Sequence, residues 1–367
     1  MSTRIAVATD PRYEVVVGAG ALERASEFVA PLDVLLRDSG LPDQLGLLAA
    51  RVSIALPPGE EAKDWETLGA LLGALAHEAL DRSTKMCVVG GGAALDVGGL
   101  AAALYLRGIE VVYCPTTLLA MVDASVGGKT AINLPEGKNL VGVVRQPRAV
   151  FADTRLCASQ SEQEFRSGLG EVLKCAVLGG ERSLAELERD ATALSKRDPA
   201  ALERTIVRCV RLKARIVARD PLERGARRAL NLGHTFAHAI ERVAGFGRVP
   251  HGVAVAAGLG AALELSRSAG VLRDAQLPAR VRRLAMRLSL PQSIDALREE
   301  FALALPPRKL LDAMRHDKKA LAAEPRFVLP ERAGKVLHGV DCSPESIGAV
   351  LAPKNKRAPR TARPRRA

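Results

Sequence analysis

The sequence predicts an α/β unit with a Rossmann-like parallel sheet, followed by an all-helical unit. Three observations lead there. At 367 residues the chain exceeds the usual size of one domain, so two units of roughly 150–200 residues each are expected. Short apolar runs alternate with helical patterns as far as Cys114, whereas strand signals nearly vanish beyond residue 160. Apolar residues make up 48% but aromatics only 3%, so the interior is built mainly of Ala, Leu and Val, which suit helices and buried parallel strands.

The elements follow in order. Tyr13 to Val17 reads as a short strand ended by Gly18 and Gly20, and Val52 to Leu56 as a second ended by Pro57-Pro58-Gly59. Leu68 to Leu80 has helical periodicity, Lys85 to Val89 is a buried strand, Ala93 to Leu106 a helix and Glu110 to Cys114 another strand. This alternation predicts a twisted parallel sheet with right-handed crossovers. Segments 164–178, 183–195, 199–218, 229–243, 251–269 and 277–288 all carry helical spacing. The expected division is 1–158 for the α/β unit, 159–353 for the helical unit and 354–367 for a tail.

The formal net charge is +12, but Lys354, Lys356, Arg357, Arg360, Arg363, Arg365 and Arg366 all fall in the last fourteen positions, and without them it is +5. A Pro/Ala/Arg segment with no acids and no aliphatic periodicity cannot bury enough surface to order itself, so a disordered basic tail is expected. It has no aromatic residue on which bases could stack, which argues against specific nucleic-acid recognition. No apolar run reaches the length of a membrane span, since Arg107 interrupts the longest, and the N-terminus lacks a basic-then-apolar leader pattern. No membrane association and a cytoplasmic location are therefore expected. The six cysteines are scattered without CxxC spacing, which points to neither disulfides nor a Cys-type zinc site.

Three groups of residues carry chemistry. Gly90-Gly91-Gly92, with Asp96 and Gly98-Gly99 beyond, joins a strand to a helix, where small residues let backbone N–H groups approach a phosphate. Leu95 stands where a GxGxxG pattern has its third glycine, so the turn also reads as an ordinary strand-to-helix connection. Lys129, after Gly127-Gly128, and Lys138, after Gly137, offer mobile cations to an anionic substrate bearing phosphate or carboxylate. In the helical half, His234 and His238 are four residues apart, which puts both imidazoles on one face within reach of a common metal or substrate. His251 opens a later helix and Glu171 lies upstream, so donors for a three-ligand divalent site are available. The pairs Glu171 with Lys174 and Arg227 with Asn231 each share a helical face.

Taken together, an ordered series of blocks from about residue 13 to 345 resembles the 3-dehydroquinate synthase family. The blocks are Pro58-Gly59-Glu60-Glu61-Ala62-Lys63, the triple-Gly/Asp96 turn, Tyr105-Leu106-Arg107-Gly108 and Pro115-Thr116-Thr117-Leu118-Leu119. They continue with Asp123, Ser125-Val126-Gly127-Gly128-Lys129-Thr130, Gly137-Lys138-Asn139, Ser167-Gly168 through Lys174, Leu230-Asn231-Leu232-Gly233-His234-Thr235 and Asp317-Lys318-Lys319.

The resemblance implies a homodimeric enzyme using NAD and one divalent metal, zinc or cobalt. Its substrate would be a phosphorylated sugar acid, 3-deoxy-D-arabino-heptulosonate 7-phosphate, converted to 3-dehydroquinate and phosphate in the shikimate pathway. By motif position, the metal ligands would be Glu171, His234 and His251, leaving His238 to handle substrate and protons. Glu60, Lys63, Gly91, Gly92, Asp96, Thr116, Thr117 and Leu119 would hold NAD, alongside Asp123, Lys129 and Lys138. The substrate pocket would be lined by Arg107, Asp123, Lys129, Lys138, Asn139, Lys174, Lys213, Glu223, Arg227, Asn231 and one of Lys318 or Lys319.

The chain departs from the family pattern at Ser159 to Glu164, at Leu95, at Pro221 in place of an acid and at Val253 in place of a Glu. Rival readings are a sedoheptulose 7-phosphate cyclase of the same superfamily, a metal-dependent polyol dehydrogenase of similar fold, and a non-catalytic homologue binding a polyanion through its basic tail. The intact Gly127-Gly128-Lys129-Thr130 and Gly137-Lys138-Asn139 blocks and His238 favour the synthase over the other cyclases.

Overall fold

The computed structural model describes residues 2–41, 48–315 and 325–353. Lys318, Lys319 and the basic tail lie outside the described residues.

The first half of the chain runs through β1 (Thr3–Val7), β2 (Tyr13–Val17), α1 (Ala21–Val29), β3 (Val34–Asp38), β4 (Val52–Leu56), α2 (Trp65–His77), β5 (Lys85–Gly90), α3 (Gly92–Leu104), β6 (Glu110–Pro115), β7 (Lys129–Leu134), β8 (Gly137–Val144) and β9 (Ala149–Ala152). Seven of these strands form one sheet in the order β1-β2-β9-β6-β5-β3-β4. Its neighbours are parallel except at one edge, where β1 pairs antiparallel with β2. The interior strand β5 is buried from Met86 to Gly90 because helices cover both faces of the sheet, which is why it reads as a continuous apolar run. β7 and β8 form a separate antiparallel hairpin.

The second half holds α4 (Glu162–Gly179), α5 (Glu181–Ser195), α6 (Pro199–Arg219), α7 (His234–Ala244), α8 (His251–Ser268), α9 (Leu277–Arg287), α10 (Ile294–Glu300), α11 (Pro307–Arg315), β10 (Phe327–Arg332), β11 (Lys335–Val340) and α12 (Pro344–Leu351). The expected all-helical composition needs one correction. β10 and β11 pair as a hairpin around Gly334, whose positive φ of 77° suits a tight turn. Ser266 of α8 donates to the Pro330 carbonyl at 2.6 Å, so the hairpin is held against a helix rather than another sheet.

A second correction concerns the helix expected over 229–243. Ala226–Asn231 is a separate 3₁₀ turn, and Gly233 at φ 82° breaks the chain so that α7 starts at His234. The departing block at Ser161 begins α4 with a reciprocal cap, in which Ser161 Oγ accepts from the Glu164 N–H and the Glu164 carboxylate accepts from the Ser161 N–H. Gln160 beside it accepts from the Leu118 N–H at 3.2 Å, joining the two halves. No described helix is long and apolar enough to cross a membrane.

Candidate active site

The carboxyl ends of β5 and β6 and the start of α3 face α4, α7 and α8 across a cavity of about 560 Å³. Open α/β sheets place ligands at that end of their strands. Of the residues assigned to NAD by resemblance, Glu60, Lys63, Gly91, Gly92, Asp96, Thr116, Thr117, Leu119 and Lys138 line this cavity. Lys63, only 3% exposed, lies 2.5 Å from Asp96 Oδ2 and 2.5 Å from Asn139 Oδ1. Burial raises the Asp96 carboxyl pKa, an effect the Lys63 ammonium opposes.

Two features fit a nucleotide. The N-terminus of α3 has no side-chain cap, and Gly91, Gly92 and Ala93 present it to the cavity, so backbone donors remain for an anion. Thr116 Oγ1, in the cavity wall, is buried and has no hydrogen-bond partner among the described residues.

On the helical side, glycines bring three helices into backbone contact beside each proposed ligand. A Cβ on Gly170 would lie 1.8 Å from the Gly252 carbonyl oxygen, so only glycine lets α4 and α8 approach closely enough for Glu171 and His251 to meet. Gly233 likewise sits against the backbone of α8, with a hypothetical Cβ 2.9 Å from the Leu259 nitrogen, and sets His234 at the start of α7.

The result is one convergence point. His234 Nε2 and His251 Nε2 are each 3.6 Å from Glu171 Oε1, and one donor atom from each residue lies within 4.8 Å of the others. The edge of a tetrahedron with bonds of about 2.1 Å is about 3.4 Å, so the spacing suits a zinc-sized cation. The second nitrogen of each ring has its own contact: His234 Nδ1 lies 3.2 Å from the Leu232 carbonyl, and His251 Nδ1 lies 3.3 Å from Glu241 Oε2. Glu171 Oε1 is buried and accepts no hydrogen bond among the described residues, which fits a cation binding there. His238 is not part of this trio. Its ring packs 5.5 Å from that of His234 and lines the cavity, so the four-residue spacing finds one ligand and one cavity residue.

Charge is balanced internally. Burial alone would raise the Glu171 pKa, but the Lys174 ammonium paired with it, together with His251, holds the carboxyl below its usual range. Burial pulls the His251 pKa down, yet the flanking Glu241 and Glu171 outweigh it and push the value up to about 10. Glu241 is lowered to about 2, with His251 and Lys138 overcoming its burial.

Most of the remaining residues expected in the substrate pocket, together with Asp123 and Lys129 of the NAD set, pair with one another outside the cavity lining: Lys213 Nζ lies 2.7 Å from Asp123 Oδ1. Lys129 pairs with Glu223, which also accepts from Asn231 Nδ2 at 2.5 Å. Arg227, 1% exposed, donates to the Gly127 carbonyl at 2.9 Å and to the Pro221 carbonyl at 2.6 Å. Pro221, standing where the family has an acid, thus serves Arg227 through its backbone. Val253, the departure next to His251, is buried in the hydrophobic core.

Arg107 is the expected pocket residue that the structure does not bring in. It follows the C-terminus of α3, the end remote from Gly91, where Leu106 and Arg107 adopt left-handed φ of 48° and 63°. It is exposed and forms no hydrogen bond or ion pair among the described residues. Sequence reasoning in turn missed four residues of this site. Asp38 lines the cavity at the tip of β3, a strand not read from the sequence. Asn133 donates to Glu60 at 2.9 Å and accepts from the Asn139 N–H at 2.9 Å, holding the β7–β8 hairpin to the cavity. Phe246 places its ring 5.0 Å from Lys138 Nζ. Glu241 was legible in principle, since it follows His234 by seven residues and so returns to the same face of α7.

Comparison with known proteins agrees with this layout. Residues 53–167 match the family model described as 3-dehydroquinate synthase N-terminal, and residues 168–320 the model described as 3-dehydroquinate synthase C-terminal. The curated 3-dehydroquinate synthase of Laribacter hongkongensis is 42% identical over 339 residues, covering 89% of this chain and 91% of its own. That of Symbiobacterium thermophilum is 37% identical over 355 residues, covering 92% and 96%. Among solved structures, 2-deoxy-scyllo-inosose synthase complexed with carbaglucose-6-phosphate, NAD+ and Co2+ superposes with a TM-score of 0.81 at 27% identity, covering 96% of this chain and 99% of its own. The 2-epi-5-epi-valiolone synthase of Streptomyces hygroscopicus with NAD+ and Zn2+ bound gives 0.80 at 25% identity, covering 92% and 95%. A probable glycerol dehydrogenase of Sinorhizobium meliloti, 16% identical with a TM-score of 0.65, shares the fold. With two family models spanning both halves and relatives matched over nearly their whole length, the chain belongs to the 3-dehydroquinate synthase family.

Proposed function

We propose that the protein is a 3-dehydroquinate synthase. It converts 3-deoxy-D-arabino-heptulosonate 7-phosphate to 3-dehydroquinate and phosphate by transient oxidation, phosphate elimination, reduction and intramolecular aldol closure. The observation that carries the reading is the convergence of Glu171, His234 and His251 opposite the glycine turn of the sheet half, in a chain of this family.

NAD, when bound, accepts and later returns a hydride, while a divalent cation, zinc or cobalt, polarises substrate hydroxyls as a Lewis acid. Glu171, His234 and His251 would hold the cation. Gly91, Gly92, Thr116, Thr117, Leu119, Glu60, Lys63 and Asp96 would hold the dinucleotide, and Asp38 at a strand tip is placed to accept from a ribose hydroxyl. Lys138, Asn139 and His238 share the cavity with both groups. Lys138 supplies a cation for the phosphate or carboxylate, and His238 exchanges a proton with the reacting carbon or leaving oxygen. Lys213, Asp123, Lys174 and Arg227 would supply buried fixed charges, and Lys129, Glu223 and Asn231 a more exposed cluster, that together stabilise developing enolate and phosphate charge. Arg107 has no role within a single chain.

The same reading divides the chain at residues 158 and 159 and takes the protein as a homodimer. It places the enzyme in the cytoplasm, where NAD and phosphorylated sugar acids are available. The test incubates purified protein with the heptulosonate phosphate, substoichiometric NAD and zinc. Phosphate should be released without accumulated NADH, giving 3-dehydroquinate by mass and NMR. Accumulation of NADH in step with turnover would mark a dehydrogenase, and phosphate release from sedoheptulose 7-phosphate alone would mark another cyclase.

A further inference from the structure

Glu241 belongs to none of the motifs read from the sequence, yet its carboxylate touches both sides of the cleft. It is 4% exposed and lies on α7, seven residues after His234 and three after His238. Oε2 is 3.3 Å from His251 Nδ1 and Oε1 is 3.4 Å from Lys138 Nζ. A carboxylate only accepts hydrogen bonds, so the proton in the first contact sits on His251 Nδ1. On the neutral ring the lone pair is then left on Nε2, the atom 3.6 Å from Glu171 Oε1. Lys138, itself held beside the Phe246 ring, anchors the second oxygen, so the carboxylate cannot swing away from the imidazole.

We propose that Glu241 is a positioning residue that fixes the tautomer and ring angle of His251 for cation binding. The proposal rests on reading Glu171, His234 and His251 as metal ligands. His234 receives the same service from the Leu232 carbonyl, a backbone group that no side-chain substitution removes. Glu241 is therefore the side chain through which ligand orientation can be altered without touching a ligand. Without it the His251 ring is free to turn about its last torsion and to carry its proton on the nitrogen that must face the cation. Partners of this kind typically change metal affinity 10- to 100-fold.

The experiment strips the purified full-length protein with a chelator and titrates Zn2+ against a chromophoric competitor. Glu241→Met, similar in size but without an acceptor oxygen, should bind zinc about 10- to 100-fold more weakly than the parent. Glu241→Asp, which keeps the charge, should recover part of the loss, an effect that packing alone would not give. A second measurement needs no variant: ¹⁵N spectra of the zinc-loaded parent, labelled at histidine, should show His251 protonated at Nδ1. Parent-like zinc affinity in Glu241→Met, or a His251 proton on Nε2, overturns the proposal. His251→Ala separates this from failure of the underlying reading. If it too keeps parent affinity, the ligand assignment is wrong, and if it loses zinc while Glu241→Met does not, only the role of Glu241 falls.

Discussion

At its glycine turn the sheet side of the cleft offers backbone and small neutral groups, Gly91, Gly92, Thr116 and Thr117, with the Lys63–Asp96 pair beside them, whereas the helical half holds Glu171, Lys174, Lys213 and Arg227, all buried and all ionisable. Neutral donors at a helix N-terminus can be hydrated between binding events at little expense. Buried charges cannot, and they persist only because each has a partner: Glu171 with Lys174, Asp123 with Lys213, Glu241 with His251. Substitutions among these buried pairs should therefore damage folding and binding together, and substitutions at the glycine turn of the sheet side should damage binding alone.

The strongest break is Glu171→Ala. It removes the ligand and leaves Lys174, 1% exposed, without its nearest counter-charge. We expect loss of stoichiometric zinc after gel filtration and a stability loss of about 3 kcal/mol in denaturant unfolding, since orphaning one member of a buried pair costs that order. A variant that kept zinc at parent affinity and unfolded like the parent would remove both the ligand assignment and the contrast between the two sides.

A smaller effect comes from pH. His251 titrates at about 10 in the metal-free site, because Glu241 and Glu171 favour its charged form more than burial opposes it. Zinc needs the neutral ring, so binding displaces a proton, and raising the pH removes that competitor. Zinc affinity should thus rise about tenfold per pH unit between pH 7 and 9, a slope set by one displaced proton. NAD binding, carried by backbone donors, should change less than twofold over the same range. A flat zinc titration would show that His251 is already neutral in the empty site.

The same contrast governs what could be read from the sequence. The glycine turn and its flanking strands were legible because phosphate binding at a helix N-terminus has a local spacing, Gly90 to Asp96, written within one connection. Helical periodicity located α4, α6 and α8 within two residues at each end, since each buries a long apolar face. The metal trio has no such local signature. Its members come from three helices, and what unites them is the backbone contact of Gly170 with Gly252, separated by more than eighty residues. Spacing alone chose His234 and His238, left Glu171 and His251 as available donors, and only the resemblance picked Glu171, His234 and His251 as the trio. Strands β1, β3 and β9, unlike β2 and β4 of similar length, were not read, since no Gly or Pro cluster like Gly18 and Gly20 or Pro57-Pro58-Gly59 had been picked out to bound them, and with β3 went Asp38. Arg107 was carried over by motif position, and motif position says nothing about the end of the helix on which a residue emerges.

The mildest test falls on the sheet side. Gly91 has φ −72° and ψ −178°, extended backbone that alanine adopts without strain, and a Cβ there would meet Thr117 Cγ2 at 3.4 Å, an ordinary contact. Gly91→Ala should therefore fold with unchanged or slightly higher stability, because alanine lowers the entropy of the unfolded chain by up to about 1 kcal/mol. Its methyl nevertheless stands in the wall where a diphosphate must approach the N–H groups of α3, so NAD should bind about fivefold more weakly, roughly 1 kcal/mol, as for one weakened hydrogen bond. Zinc affinity should stay at the parent value, since the substitution touches no group on α4, α7 or α8. Calorimetric titrations of the same sample with NAD and with zinc would measure both. If zinc weakened along with NAD, the cleft would be a single coupled unit, and the separation between a neutral wall and a charged wall would not describe how this enzyme holds its cofactors.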